Sequence, residues 1–356
     1  MEATAKTNPL SKIKTSRIIY PILIGLVVIA YMLWDEFNPN AFKHIKLGWE
    51  AGVWLGMAAF FMLARDIGYI VRLRILSDNR LSFLHALRVV ILWEFTSAIT
   101  PSAIGGTSIA ILYVHKEGLT IGQSTAVVMA TSLLDELYFI IMFPILLIWV
   151  GSTDLFDIPG ESARVATNLL AVAWTGYGIK LAYLVILSYG MFINPRGLKW
   201  LLMKIFKLPI LRRWKHAANQ AGTDIIKSSR ELGKKHFLYW LKAGFATFVS
   251  WTARYWVVNA LLLAFFAVHD HLLIFARQLV MWIMMLVSPT PGGSGFAEYI
   301  FTVLLGEFIP VNPDIKHSTV VALSFLWRLF SYYPYLFIGV FVFPRWIKRK
   351  FKKTKL

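Results

Sequence analysis

Ser288-Pro289-Thr290-Pro291-Gly292-Gly293-Ser294-Gly295 breaks an apolar stretch that otherwise runs from Leu272 to Ile309. Proline removes backbone donors and glycine opens conformations closed to other residues, so a helix does not continue through such a string. Two apolar arms remain, each shorter than the roughly 20 residues that a bilayer core demands of a spanning helix. The same interruption occurs earlier, where Thr100-Pro101-Ser102-Ala103-Ile104-Gly105-Gly106 splits the stretch from Val89 to Val114. Each region is read as a pair of half-length helices about a break.

Around these regions lie uninterrupted apolar runs at Ile18–Trp34, Trp49–Ala64, Thr125–Val150, Ala166–Met191, Leu241–Val268 and Thr319–Phe343. Hydrophobic residues are 57% of the 356 and charged ones 16%, where a soluble domain carries roughly 25% charged residues. The chain is therefore an all-α, polytopic membrane protein. Its net charge of +18 sits in blocks between apolar runs, a pattern of membrane topology and not of nucleic-acid binding. The absence of cysteine excludes disulfides, thiolate nucleophiles and Cys-based metal sites. Met1 to Arg17 resembles the charged start of a signal peptide, but no small-residue cleavage pattern follows Trp34, so the first run is expected to stay as a helix.

Positive charge marks the cytoplasmic loops. Lys6, Lys12, Lys14 and Arg17 place the N-terminus there, and Arg65, Arg72, Arg74, Arg80 and Arg88 bring the next loop back, while Asp154, Asp157 and Glu161 mark an outer loop. An odd number of crossings between those loops requires the first broken region, 89–114, to enter and leave on the cytoplasmic side, with His115 and Lys116 inside. The segment 195–240 and the tail from Arg345 are cytoplasmic too, so the second broken region, 272–309, enters and leaves outside. The expectation is six full spans and two opposed re-entrant hairpins, arranged as an inverted repeat of 49–150 and 241–343, the arrangement of many transporters. The alternative is that both regions are kinked spanning helices. From Arg196 to Phe206, apolar residues at helical spacing beside Lys199, Lys204 and Lys207 suit a helix on an anionic inner leaflet, and Leu211 to Lys235 suits a cytoplasmic helical connection.

The broken regions also resemble a known family. Thr100 to Gly106 with Lys116-Glu117-Gly118, and Pro289-Thr290-Pro291-Gly292-Gly293-Ser294-Gly295-Phe296-Ala297-Glu298 with Trp327-Arg328 and Tyr332-Tyr333, are similar to the two signatures of the lysylphosphatidylglycerol synthase transmembrane-domain family. The resemblance spans about Ile18 to Phe343. It implies a flippase-like module, which in fused bacterial members moves aminoacylated phosphatidylglycerol to the outer leaflet. With its end at Leu356, the chain resembles stand-alone members that lack the aminoacyltransferase domain. Gly105-Gly106-Thr107-Ser108-Ile109 carries neither charge of the Gly-Glu-x-x-Arg pattern that is commoner at the first signature.

A hairpin tip leaves helix ends with unpaired N–H groups that favour an anion. Pro101, Gly105, Gly106, Thr107 and Ser108 at one tip, and Pro291, Gly292, Gly293, Ser294 and Gly295 at the other, are candidates to cradle a phosphate headgroup; tight turning alone would also account for the glycines. Charged side chains at membrane depth cost a few kcal/mol each and ask for partners. Glu298 with Arg328 is the simplest pair, either a structural one or a headgroup site. Arg254 and Arg328 are candidates for phosphate contact through their guanidinium forks, Glu94 and Glu136 for headgroup or proton contact, and Arg277 and Asp135 for positions near an interface. His269-Asp270-His271 lacks a third metal ligand. No cofactor motif or catalytic arrangement emerges. The expected function is a lipid flippase or transporter for a phospholipid or polyprenyl-type amphiphile in a bacterial cytoplasmic membrane, with both termini cytoplasmic. A lipid-modifying enzyme and a scaffold recruiting a partner through 195–240 are the rivals.

Overall fold

The computed structural model describes residues 48–100, 103–159, 162–207, 212, 215–287, 290, 292–293 and 295–351. Regular structure among them is entirely helical. The expected span Ile18–Trp34 lies outside the described residues, as do Pro101, Pro291 and Ser294.

Four described helical stretches are long and apolar enough to cross a membrane: Trp49–Leu76, Ile121–Val150, Ala163–Ile193 and Ile315–Lys350. They correspond to α1 (Trp49–Leu76), α4 (Ile121–Val150), α5 (Ala163–Ser188, continued by a π-turn) and the pair α11 (Pro313–Ser331) and α12 (Tyr333–Phe351). Helix α8, Phe237–Leu263, has 27 residues but is less apolar. A capping box of Thr120 and Gln123 fixes the start of α4, satisfying donors that a helix start leaves orphaned.

Helix α1 corrects the sequence reading. It continues twelve residues past Ala64, so Arg65 and Arg72 are buried side chains of a helix and not loop charges. Phe60, Leu63, Ile67 and Val71 form its exposed stripe, while Arg65, Gly68, Tyr69 and Arg72 face inward. Gly68 permits α8 to come close: a Cβ there would lie 2.9 Å from the Ala246 carbonyl oxygen. Ser250 Oγ donates to the Arg65 carbonyl at 2.9 Å across the same contact.

The two broken regions fold as antiparallel helix pairs. In the first, α2 (Phe83–Ile99) and α3 (Ala103–Lys116) are separated at Thr100, which is extended (φ −101°, ψ 137°) as a residue before proline prefers. Thr96 and Tyr113 share a hydrogen bond of 2.6 Å between the arms, and Arg88 meets Glu117 at 3.0 Å across the open end. In the second, α9 (His271–Met284) and α10 (Phe296–Leu305) are closed at the open end by Arg277, which meets Glu307 at 2.8 Å and the Leu304 carbonyl at 3.0 Å. These open ends lie at opposite ends of α4. Glu117 stands just before α4, whereas Arg277 also reaches the carbonyls of Asp154 and Asp157, just after it.

Two apolar cores follow from this layout. One gathers round α9 and α10 with the second half of α4 and of α8; the other gathers round α2 and α3 with the first half of α4 and with α12. Two further helices, α6 (Pro195–Ile205) and α7 (Lys215–Gly233), match the helical connection expected there. Trp200 and Leu201 of α6 are exposed, and α7 packs on α4.

Candidate functional site

Between the two apolar cores runs a layer of charge. On α1 the cores stop at Met62 and resume at Tyr69; on α4 they stop at Leu134 and resume at Tyr138; on α8 they stop at Ala243 and resume at Tyr255. The residues left between them include Arg65 and Asp66, Asp135 and Glu136, and Thr247, Ser250, Trp251 and Arg254. Asp135 and Glu136 stand at the centre of α4, Ser250 at the centre of α8 and Tyr332 at the centre of Ile315–Lys350. A charge layer at the midpoints of apolar helices persists only if each charge is met by another charge, a polar group or a ligand.

Most are met. Arg65 pairs with Glu94 of α2 and with Asp66 (2.7 Å), and Asp66 also accepts the Tyr335 hydroxyl at 2.7 Å. Arg72 pairs with Asp135 at 2.5 Å and donates to Thr247 at 3.1 Å, while Trp251 Nε1 donates to Asp135 at 2.6 Å. Glu136 takes Lys180 of α5 at 2.9 Å, with the Lys180 ammonium over the Phe139 ring. Arg328 pairs with Glu298 and donates to the Gly292 carbonyl at 2.9 Å.

Arg254 is different. Partly buried in α8, it lies over the Trp282 ring of α9 at 4.4 Å and the Trp251 ring at 5.6 Å. Among the described residues no carboxylate is within ion-pair distance of it, although Glu94 and Arg65 are within electrostatic range. Its guanidinium stands between the two hairpins, with Trp282 near the end of one arm and Glu94 near the end of the other. A cation–π contact of this kind contributes about 0.5–2 kcal/mol, less than a desolvated charge costs at depth.

The hairpin ends meet at Tyr332, in the break between α11 and α12. Its hydroxyl donates to the Ala98 carbonyl of the first hairpin at 2.9 Å. The ring lies so close to Gly292 that a Cβ there would stand 2.2 Å from the hydroxyl oxygen. Gly292, Gly293 and Gly295 all have positive φ.

The sequence-derived candidates fall into groups. Glu298, in the first turn of α10, pairs with Arg328 as expected, and Arg328 also reaches the Gly292 carbonyl. Glu94 and Arg254 join the same layer. Gly105, Gly106, Thr107 and Ser108 fall inside the first turns of α3 and not in an open tip, with Gly106 buried against Ser97. Gly293 is buried and Gly295 is exposed at the start of α10. Glu136 is engaged with Lys180 between α4 and α5. Asp135, expected near an interface, is paired with Arg72 at mid-helix, whereas Arg277, 1% exposed, sits at the base of the second hairpin beside the segment that follows α4. Arg65, Asp66, Arg72, Trp251, Trp282 and Tyr335 had not been singled out for the site. The spacing of Arg65, Tyr69 and Arg72 on one helical face, opposite Leu63, Ile67 and Val71, was the available signal.

Apolar helices of spanning length around a paired charge layer define an integral membrane protein of the multi-helix kind, built round two broken-helix hairpins. Residues 18–339 match the family described as the lysylphosphatidylglycerol synthase TM region, and the chain belongs to that family. It is also 29% identical over 354 residues to a "UPF0104 membrane protein" of Archaeoglobus fulgidus, covering 94% of this chain and 99% of that protein.

Proposed function

We propose that the protein is a lipid flippase, which moves an amphiphile with an anionic, phosphate-containing headgroup between leaflets while its acyl or polyprenyl chains stay in lipid. In this reading the chain makes six full spans, and two re-entrant hairpins enter from opposite faces of a cytoplasmic membrane. Both termini and the basic stretch from Pro195 to Lys242 face the cytoplasm, where the cations of α6 meet anionic lipid. Support comes from the hairpin bases at opposite ends of α4 and from the membership of the family.

The observation that carries the reading is Arg254, a partly buried cation between the hairpins that lies on aromatic faces and, among the described residues, has no carboxylate within ion-pair distance. A phosphodiester would complete it through two parallel hydrogen bonds. Arg328 is already engaged by Glu298 and the Gly292 carbonyl, so in this reading it holds the second tip in shape and Arg254 makes the headgroup contact. The test is native mass spectrometry of lipids retained through purification. Wild-type protein is expected to retain an anionic phospholipid that Arg254→Gln loses; equal retention by both would remove Arg254 from the site.

A further inference from the structure

The charge layer balances as a whole but not locally, and the imbalance identifies a second site. Among the described residues, four guanidiniums (Arg65, Arg72, Arg254, Arg328) and the Lys180 ammonium stand among five carboxylates (Asp66, Glu94, Asp135, Glu136, Glu298), Lys180 being matched by Glu136. Matching each acid to its nearest cation assigns Glu94 to Arg65, Asp135 to Arg72 and Glu298 to Arg328. Asp66 is left over as the second carboxylate on Arg65, and Arg254 is left over with no carboxylate in ion-pair distance among the described residues. An anionic headgroup on Arg254 would therefore add one uncompensated negative charge to a layer enclosed between two apolar cores.

We propose that Asp66 is a proton-binding site linked to the headgroup site at Arg254, so that one proton from the aqueous side enters with each singly charged phosphodiester and the loaded layer stays neutral. The inference rests on the flippase reading above and names its coupling ion. Geometry favours Asp66 over its neighbours. Its side chain is 24% exposed, against 19% for Glu94 and 17% for Asp135. Its oxygen Oδ1 is held by Arg65 at 2.7 Å and by the Tyr335 hydroxyl at 2.7 Å, and both bonds survive protonation of the other oxygen. When Asp66 gains a proton, Arg65 remains neutralised by Glu94, so no cation is orphaned. The other titratable and charged groups of the layer are Tyr69 and Arg72 from α1, Glu94 from α2, Asp135 and Glu136 from α4, Lys180 from α5, Arg254 from α8, Arg328 with Glu298 from α11 and α10, and Tyr335 from α12. Asp135 and Glu298 each have a guanidinium of their own, whereas Asp66 and Glu94 share Arg65.

Calorimetric titration of the purified protein with dioctanoyl phosphatidylglycerol, in two buffers of different ionisation enthalpy between pH 6 and 8, reads protons taken up per lipid bound. Neither the lipid phosphodiester nor dimethyl phosphate, used as a chain-free second ligand, titrates in that range. The wild type is expected to take up about one proton per lipid, with affinity falling as pH rises by as much as tenfold per unit, the limit for one linked proton. Asp66→Asn should bind more tightly at pH 8, take up no proton and lose the pH dependence, while Asp66→Glu should restore both. Lipid binding by the wild type without proton uptake overturns the proposal whether or not Asp66→Asn folds, and uptake unchanged in Asp66→Asn overturns the assignment to Asp66. Proton-linked binding of dimethyl phosphate as tight as that of the lipid would overturn coupling to a lipid. Binding of neither ligand would remove the proposal together with the flippase reading beneath it.

Discussion

Replacing Gly292 by alanine should disconnect the two hairpins, and the cost can be worked from two independent contributions. Gly292 has φ +59°, and an alanine in that left-handed region costs roughly 1–2 kcal/mol. Its Cβ would lie 2.2 to 2.6 Å from the Tyr332 hydroxyl and ring, so the ring must move and give up its 2.9 Å bond to the Ala98 carbonyl. A hydrogen bond of this kind contributes about 0.5–1.5 kcal/mol net. The total is roughly 1.5–3.5 kcal/mol in the wild-type background. In a Tyr332→Ala background the clash and the bond are already gone, and only the backbone cost of roughly 1–2 kcal/mol remains. The cycle therefore predicts a coupling of about 1 kcal/mol, measurable by SDS-driven unfolding in mixed micelles followed by tryptophan fluorescence. An equal cost for Gly292→Ala in both backgrounds would refute the bridge between the tips.

Three further outcomes are expected. Single cysteines at His115 and Asp270 in this cysteine-free chain should label with an impermeant reagent from opposite faces; labelling of both from one face would end the opposed-hairpin topology. Burial disfavours the Glu117 charge, but hydrogen bonds from Trp346 and Lys350 and the nearby Arg88 outweigh it and hold its carboxyl below the usual range. Its stabilisation is thus full at neutral pH and lost as the pH falls below the ordinary glutamate range. Below about pH 4, thermal midpoints of the wild type should drop more steeply than those of Glu117→Gln, and parallel curves would contradict this. Arg328→Ala should destabilise by about 3–5 kcal/mol because it strands Glu298, and Glu298→Gln added to it should recover much of that in the same unfolding assay while leaving translocation impaired. Wild-type translocation by the double variant would make the pair structural only.

The apolar runs and the two Pro/Gly breaks were legible because helix length and helix breaking are local properties of the chain. Glu298 with Arg328 was legible for a related reason: a charge in an apolar run needs a partner, and few were available. Arg65 and Arg72 were misread as loop charges because hydropathy averages over both faces of a helix. Around them Leu63, Ile67 and Val71 point outward while the arginines point in, so the apolar average falls although the helix continues. The positive-charge count used for topology thus included two buried ion pairs, although Arg74, Arg80 and Arg88 remain to carry it. Asp135 was misplaced for a complementary reason, since its partner, Arg72, comes from another element. The isolation of Arg254 could not be read from sequence at all. It depends on which carboxylates the fold brings near, and the fold gives them to Arg65, Arg72 and Arg328.

Leaflet exchange in reconstituted vesicles tests the central claim most directly. Protein is incorporated into liposomes carrying a trace of headgroup-intact, acyl-labelled fluorescent phosphatidylglycerol, and the fraction open to an impermeant quencher is followed in time. Wild-type protein should render the inner-leaflet probe quenchable well above protein-free vesicles, Arg254→Gln should abolish most of that increment, and a labelled lipid with an uncharged headgroup should cross no faster than background. Exchange at the protein-free rate by folded wild-type protein, or an undiminished rate in Arg254→Gln, would contradict the account.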